Sequence, residues 1–174
     1  MPNGIGFSVS YLVEKIMTNK RMADRYFLAR FKFAHESGLR SSGLGTYEQA
    51  LSEIKEGRKR GHWMWYIFPQ IVGFGHSETN RYYSIKSPDE AKAYLNDELL
   101  GSHIRELCQV LLDSTKNDPA SIFGADWVKL GSSLTLFDYV SPNDIFDKVL
   151  KKFFGGNRCT NSLTFIRDIE AKEV

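Results

Sequence analysis

At 174 residues the chain has the length of one domain with a substantial core, and its 42% apolar and 25% charged composition excludes the disordered, collagen-like and disulfide-scaffold classes. Lys and Arg number 23 against 21 Asp and Glu, a net charge of +2 that makes no electrostatic case for a nucleic-acid partner. No apolar run reaches the roughly 18 residues of a membrane span, residues 4–13 lack the basic flank and cleavage site of a secretory signal, and Cys108 and Cys159 stand in no zinc or C-x-x-C spacing. The expectation is a cytoplasmic protein with reduced thiols, no membrane attachment, no metal and no cofactor.

Met22-Ala23-Asp24 resembles the start of a chain, so residues 1–26 read as an N-terminal extension, helical in part, ahead of a single domain over 27–174. From Ser10 to about Glu36, residues such as Tyr26, Phe27, Phe31 and Ala34 recur at steps of three and four, which predicts one long helix or two broken ones. The glycines and serines of residues 38–45 predict a loop, and Thr46-Tyr47-Glu48-Gln49 offers a capping box for a helix ending at Gly57, with Tyr47, Ala50, Leu51 and Ile54 inward. No breaker interrupts Arg58 to Phe68 before Pro69, which predicts a further short helix, and Gly73 and Gly75 predict a loop after it.

Ser87-Pro88-Asp89-Glu90 combines an N-cap, a first-turn Pro and a capping-box Glu, so a helix carrying Ala91 and Leu95 starts there. Leu99, Leu100, Ile104, Leu107, Cys108, Leu111 and Leu112 mark a core helix from Asp97 to about Ser114. Trp127, Leu130, Leu134 and Phe137 form another stripe. Ser141-Pro142-Asn143-Asp144 repeats the cap signal before Ile145 to Phe153, and a last helix starts near Asn161. With no alternating strand pairs or hairpin turns, the fold class is all-α: one irregular helical bundle, with a cleft near residues 57–77.

The run from Gly57 to Gln70 concentrates Arg58, Lys59, Arg60, His62, Trp63, Trp65, Tyr66 and Phe68, a mixture that amphipathic spacing alone does not require. On a helix Arg58, His62 and Tyr66 would share one face and Lys59 and Trp63 another, converging cations, an imidazole and a phenol on an anionic ligand. The competing account makes the aromatics core and the cations a solvated surface. The order G-R-K-x-x-H-W-M-W-x-I-F-P-Q, followed by Gly73, Gly75 and Ser77, resembles a bacterial family of domains of unknown function sometimes mislabelled calpastatin. The resemblance continues through Tyr83-Ser84-Ile85, Glu90 to Leu95, Leu100-Gly101, Ile122-Phe123-Gly124 and Lys129 to Phe137. It implies an all-α fold with these segments gathered around a cleft, and little about chemistry. Family members tend to carry Asp after the glycines near residue 155, where Gly155-Gly156-Asn157-Arg158-Cys159 has none.

Lys129 and Ser133, four apart, share a helical face with Ser132 and Thr135 nearby and could supply phosphate donors, or the hydroxyls could simply bond the backbone. Nucleotide loops, a Ser-His-Asp elbow and metal-binding spacings are all missing, and His35, His62, His76 and His103 read as solvated surface histidines. The expected site joins His62, as general acid or base helped by Glu53 or Glu56, to Arg58, Lys59, Trp63, Trp65, Gln70, Ser77, Lys129 and Ser133 as ligand-binding residues. Its occupant would be a small anionic molecule, a phosphate-bearing nucleotide or ADP-ribose-like compound open to hydrolysis. The alternative is a non-catalytic module for a protein or single-stranded nucleic acid, the latter disfavoured by the near-neutral charge.

Overall fold

Side-chain caps set about half of the helix starts. The structure, a computed structural model, describes residues 8–174; residues 1–7, the first part of the expected extension, lie outside the described residues. Ser8 caps α1 (Val9–Arg25) through the N–H of Ser10, and α2 (Ala29–Ser37) follows after a break. Phe27 makes the break by adopting φ 51°, a left-handed conformation unusual for a bulky side chain. The bend is held by Arg30, which donates to the carbonyls of Tyr26 (2.7 Å), Phe27 (2.9 Å) and Tyr82 (2.8 Å) and to the Glu90 carboxylate (2.6 Å). Helix α1 buries no side chain and lies against α6 (Pro88–Asn96), while α2 contributes Phe31, Ala34 and His35 to the interior.

Thr46 caps α3 (Tyr47–Lys55) by accepting from the Gln49 N–H, and Ser87 caps α6 by accepting from Glu90 N–H, both as the capping-box residues predict. Asp97 accepts from the N–H groups of Leu99 and Leu100 and starts α7 (Glu98–Asp113). Short helices α4 (Met64–Ile67), α5 (Glu78–Tyr83) and α8 (Ala120–Phe123) occupy segments too brief to show periodicity. The cap signal at Ser141 is displaced: Asp144 caps α10 (Ile145–Phe154), while Ser141 ends α9 (Trp127–Val140) and donates its hydroxyl to Asp144. Helix α11 (Thr160–Lys172) begins after Cys159.

Leu130 to Phe137 are all buried, so α9 is covered on every side, packed by α6, α10 and α11, and forms the axis of the bundle. The architecture is all-α. Among the described residues, sheet-like pairing is confined to one bridge between Ile71 and Ile85, which ties the loop after α4 to the segment before α6. Also among the described residues, no helix is long and apolar enough to cross a membrane.

Candidate functional site

The helix expected from Arg58 to Phe68 forms only as the short α4 (Met64–Ile67), and residues 58–63 ahead of it are held in a loop by Glu53. Glu53, in the last turn of α3, accepts from the backbone N–H of Arg60 (2.7 Å) and of Gly61 (2.9 Å) and from the Trp63 indole (2.9 Å). Burial of the carboxyl raises its pKa, but these bonds and Arg60 outweigh it, so Glu53 titrates below the usual carboxylate range. The Lys59 N–H donates to the Ile122 carbonyl (2.7 Å), and Gly57 turns the chain at φ 76°. Residues 58–63 are therefore a pinned loop, and the shared helical faces proposed for Arg58, His62 and Tyr66 are not realised. Glu53 is a structural tie, and Glu56 pairs on the surface with Arg60.

The motif's aromatics go inward. Trp63, Tyr66, Ile67 and Phe68 are fully buried, with the Tyr66 hydroxyl donating to the Gly45 carbonyl, and Trp65 is half-buried. Arg58 and His62 are exposed, and neither lines the cleft formed by the 70–80 segment, α9 and α11. This placement predicts that Arg58→Ala and His62→Ala change folding stability by less than about 0.5 kcal/mol. Glu53→Ala, which strips three charge-assisted hydrogen bonds from a half-buried carboxylate, should cost about 2–4 kcal/mol. Urea midpoints of the three variants check this ordering, and equal losses would refute it.

A cleft of about 520 Å³ lies where the 70–80 segment meets α9, the end of α10 and the start of α11. Phe74, Trp127 and Phe154 supply its apolar walls, with the Trp127 and Phe154 rings stacked at 22° and 6.1 Å. Its polar lining is Gln70, Asn80, Lys129, Ser132, Asn157, Arg158, Cys159 and Asn161. Gly131 leaves room for the Phe154 ring, which a Cβ would meet at 3.0 Å. Hydroxyls lock the floor: Thr135 accepts from the Cys159 N–H (2.9 Å) and Ser162 donates to the Ser132 carbonyl (3.0 Å), seating α11 on α9. A wider hollow of about 640 Å³, bordered by Phe33, Arg40, Arg81 and Tyr82, takes no residue from the 57–70 motif.

Of the residues singled out from sequence, Gln70, Lys129 and Ser132 line this cleft. Trp65 stands behind it, with the Lys129 ammonium 5.3 Å from its ring centroid. Lys59 is next in line: Asp126 receives both lysines, at 2.9 Å each, and the Lys59 ammonium sits 4.9 Å from the Trp63 ring. Burial raises the Asp126 carboxyl, but the two ammoniums outweigh it and hold it below its usual range. Ser77 caps α5, and Ser133 is fully buried with its hydroxyl unpartnered, so neither lines the cleft. Ser132 and Thr135 bond the carbonyls of Val128 and Gly131, the backbone role weighed against phosphate donation.

Sequence reasoning missed Cys159. Its thiol faces the cleft as the N-cap of α11 and accepts from the Ser132 hydroxyl at 3.5 Å. Burial raises its pKa, but the neighbouring Ser132 and Ser162 hydroxyls and the N–H groups at the start of α11 prevail and lower it below the ordinary thiol value. Cys108, by contrast, is fully buried and its pKa is pushed up. His35 is likewise interior and not solvated; it donates from Nε2 to the Tyr66 carbonyl (2.8 Å) and its Nδ1 faces His103 Nδ1 at 3.0 Å. Among the described residues, no cluster of three or more His, Cys, Asp or Glu side chains could hold a metal ion.

Residues 25–166, the bundle and cleft together apart from most of α1 and the end of α11, match the model of a protein family described as protein of unknown function (DUF1810). The chain belongs to the DUF1810 family. The crystal structure of the conserved hypothetical protein Rv1873 from Mycobacterium tuberculosis is similar, at 35% sequence identity and a TM-score of 0.75, over 83% of this chain and 99% of that one. No curated protein matches in sequence. The DUF1810 match contains every residue lining the cleft, and α1 lies ahead of it except for Arg25.

Proposed function

We propose that the cleft between the 70–80 segment, α9 and the start of α11 binds a small molecule carrying a planar group and an anionic group, within the phosphate-bearing, nucleotide-like class expected from sequence. The observation that carries this reading is the convergence of three aromatic walls with Lys129, Gln70 and three asparagines in one concavity of about 520 Å³, a size and lining typical of small-molecule sites. The anionic part is assigned to Lys129, whose charge Asp126 shares with Lys59. The planar part is assigned to Trp127, which keeps 40% of its surface exposed while stacked on Phe154.

Binding is the activity this geometry favours. The cleft lining contains no imidazole or carboxylate, so general acid–base hydrolysis through His62 draws no support from it, and neither the Cys159 thiol, the Ser132 hydroxyl nor the Lys129 amine has a general base beside it in that lining. A convex docking surface for protein or single-stranded nucleic acid is the weaker reading, because the motif's aromatics, which would supply stacking platforms, are mostly interior.

The test is thermal-shift screening of a nucleotide and sugar-phosphate panel, alongside a Val128→Trp variant. Val128 is half exposed on the cleft lining, so an indole there fills the cleft and leaves the core intact. A ligand at 100 times its dissociation constant should stabilise the native protein by about 2.7 kcal/mol, and the variant should fold normally and show no such shift. Iodoacetamide gives a second readout: Cys159 should be alkylated in preference to buried Cys108, and ligand should protect it. Shifts that persist in Val128→Trp, or alkylation indifferent to ligand, would place binding elsewhere.

A further inference from the structure

The cleft presents its cations unequally, and this restricts what can occupy it. Arg158 is already spent on the protein. It donates to Asp138 from Nε (3.2 Å) and Nη2 (3.1 Å), to Asp147 from Nη2 (2.7 Å) and to the Gly156 carbonyl from Nη1 (2.6 Å). Two carboxylates flank one guanidinium, and the second of them also takes Lys151 at 2.7 Å, so this side of the cleft carries no surplus positive charge. At the N-terminus of α11 the cap position is held by Cys159, whose Sγ accepts from the Ser132 hydroxyl at 3.5 Å.

Lys129 is different. Its ammonium has three donors and gives one to Asp126, an aspartate it shares with Lys59, so two lysines and one carboxylate leave a single uncompensated positive charge. The same cleft is lined by four carboxamides, Gln70, Asn80, Asn157 and Asn161. Asn80 accepts from the Ser84 hydroxyl at 3.3 Å. The side-chain amides of Gln70, Asn157 and Asn161 have no hydrogen-bond partner among the described residues. Each carboxamide offers a donor and an acceptor side by side, the pattern that reads the edge of a heterocycle or a pair of hydroxyls, and it adds no charge.

From this we infer that the occupant is a monophosphate ester of a nucleoside: one anionic group at Lys129, a hydrogen-bonding ring read by the carboxamides and packed on Trp127, Phe74 or Phe154, and no gain from further phosphates. The inference rests on the proposal that the cleft binds a small molecule and narrows its class. A polyphosphate would set its second and third charges against a wall whose arginine is neutralised by Asp138 and Asp147.

Calorimetric titration of the intact protein with adenosine, AMP, ADP, ATP and ribose 5-phosphate, repeated with the guanine, cytosine and uracil series, tests it at fixed ionic strength, with Cys159 alkylation followed in parallel. In the best-binding base series, the monophosphate should bind about tenfold or more tightly than both the nucleoside and ribose 5-phosphate, as one charge-assisted contact and one ring site require. Additional phosphates should improve affinity by less than tenfold. Lys129→Gln should remove the advantage of the monophosphate over the nucleoside and leave nucleoside binding intact. A triphosphate bound more than tenfold tighter than the monophosphate, ribose 5-phosphate binding as well as the nucleotide, or an unchanged phosphate preference in Lys129→Gln would overturn the inference while leaving the cleft as a binding site. Absence of both heat and Cys159 protection across every probe would remove the cleft proposal itself.

Discussion

Replacing Arg30 by alanine should lower folding stability by about 3–5 kcal/mol, because it leaves the Glu90 carboxylate buried without its charge partner. The two side chains are 5% and 2% exposed, and the same guanidinium supplies the hydrogen bonds of the Tyr26, Phe27 and Tyr82 carbonyls that close the bend between α1 and α2. For a chain of this size the melting temperature should fall by about 10 °C. Glu90 keeps one other bond, from the Lys86 N–H at 2.7 Å, so the double variant Arg30→Met/Glu90→Gln should lose less than the two single losses added together. Calorimetry on the set decides it, and a loss below about 1 kcal/mol in Arg30→Ala would show that the bend is held by other contacts.

The second large effect depends on pH. Burial is the main reason that His35 titrates at about 4; His103 adds to the depression, while the hydrogen bond to the Tyr66 carbonyl and the charge of Asp97 oppose it. Since a carbonyl can only accept, His35 carries its proton on Nε2, and Nδ1 accepts from His103 Nδ1. Protonation would set two N–H groups against each other at 3.0 Å, beside the Tyr47 ring that stacks on His103 at 3.5 Å and bonds Glu106. The unfolded chain binds this proton near pH 6.5 and the folded chain only near 4. The stability is therefore complete above about pH 6.5 and is lost as pH falls toward 4, by about 3 kcal/mol. His35→Leu should start less stable at neutral pH but lose less between pH 6.5 and 4.5. Parallel acid profiles of variant and wild type, measured by urea denaturation, would count against the assignment.

Elements with local signals were legible in the sequence. Thr46 and Ser87 cap α3 and α6 through contacts three residues away, and the stripe from Leu100 to Leu111 shows the buried face of α7. Signals failed where a side chain acts at longer range. Glu53 reaches seven, eight and ten residues forward and holds residues 58–63 as a loop, so that only Met64–Ile67 of the expected helix is helical. Asp144 took the cap that Ser141 advertised, because a carboxylate adjacent to Ile145 meets the first free N–H directly. His35 looked like surface because its burial depends on Tyr66 and His103, 31 and 68 positions away.

The site was half legible for the same reason. Gln70 and Lys129 lie in segments whose residue types drew notice, whereas Asn157, Cys159 and Asn161 gain meaning only once Thr135 and Ser162 dock α11 onto α9. The densest cluster of polar and aromatic residues turned out to be interior packing plus a pinned loop, and the cleft formed at its C-terminal edge.

The Glu53 tie has a consequence for how relatedness is detected in such chains. In the run from Gly57 to Gln70, Arg60 and Gly61 are held through backbone N–H groups that do not depend on the side chain, and Trp63 through its indole, so Trp63 is the tie that needs a particular residue type. That stretch works as a latch, and the cleft-lining side chains of α9 and α11 stand outside it. Two chains can therefore share this run in full while residues 127–132 and 154–161 differ and admit different molecules. Sorting relatives by the side chains at 70, 80, 129, 157 and 161 would then divide them by what they bind.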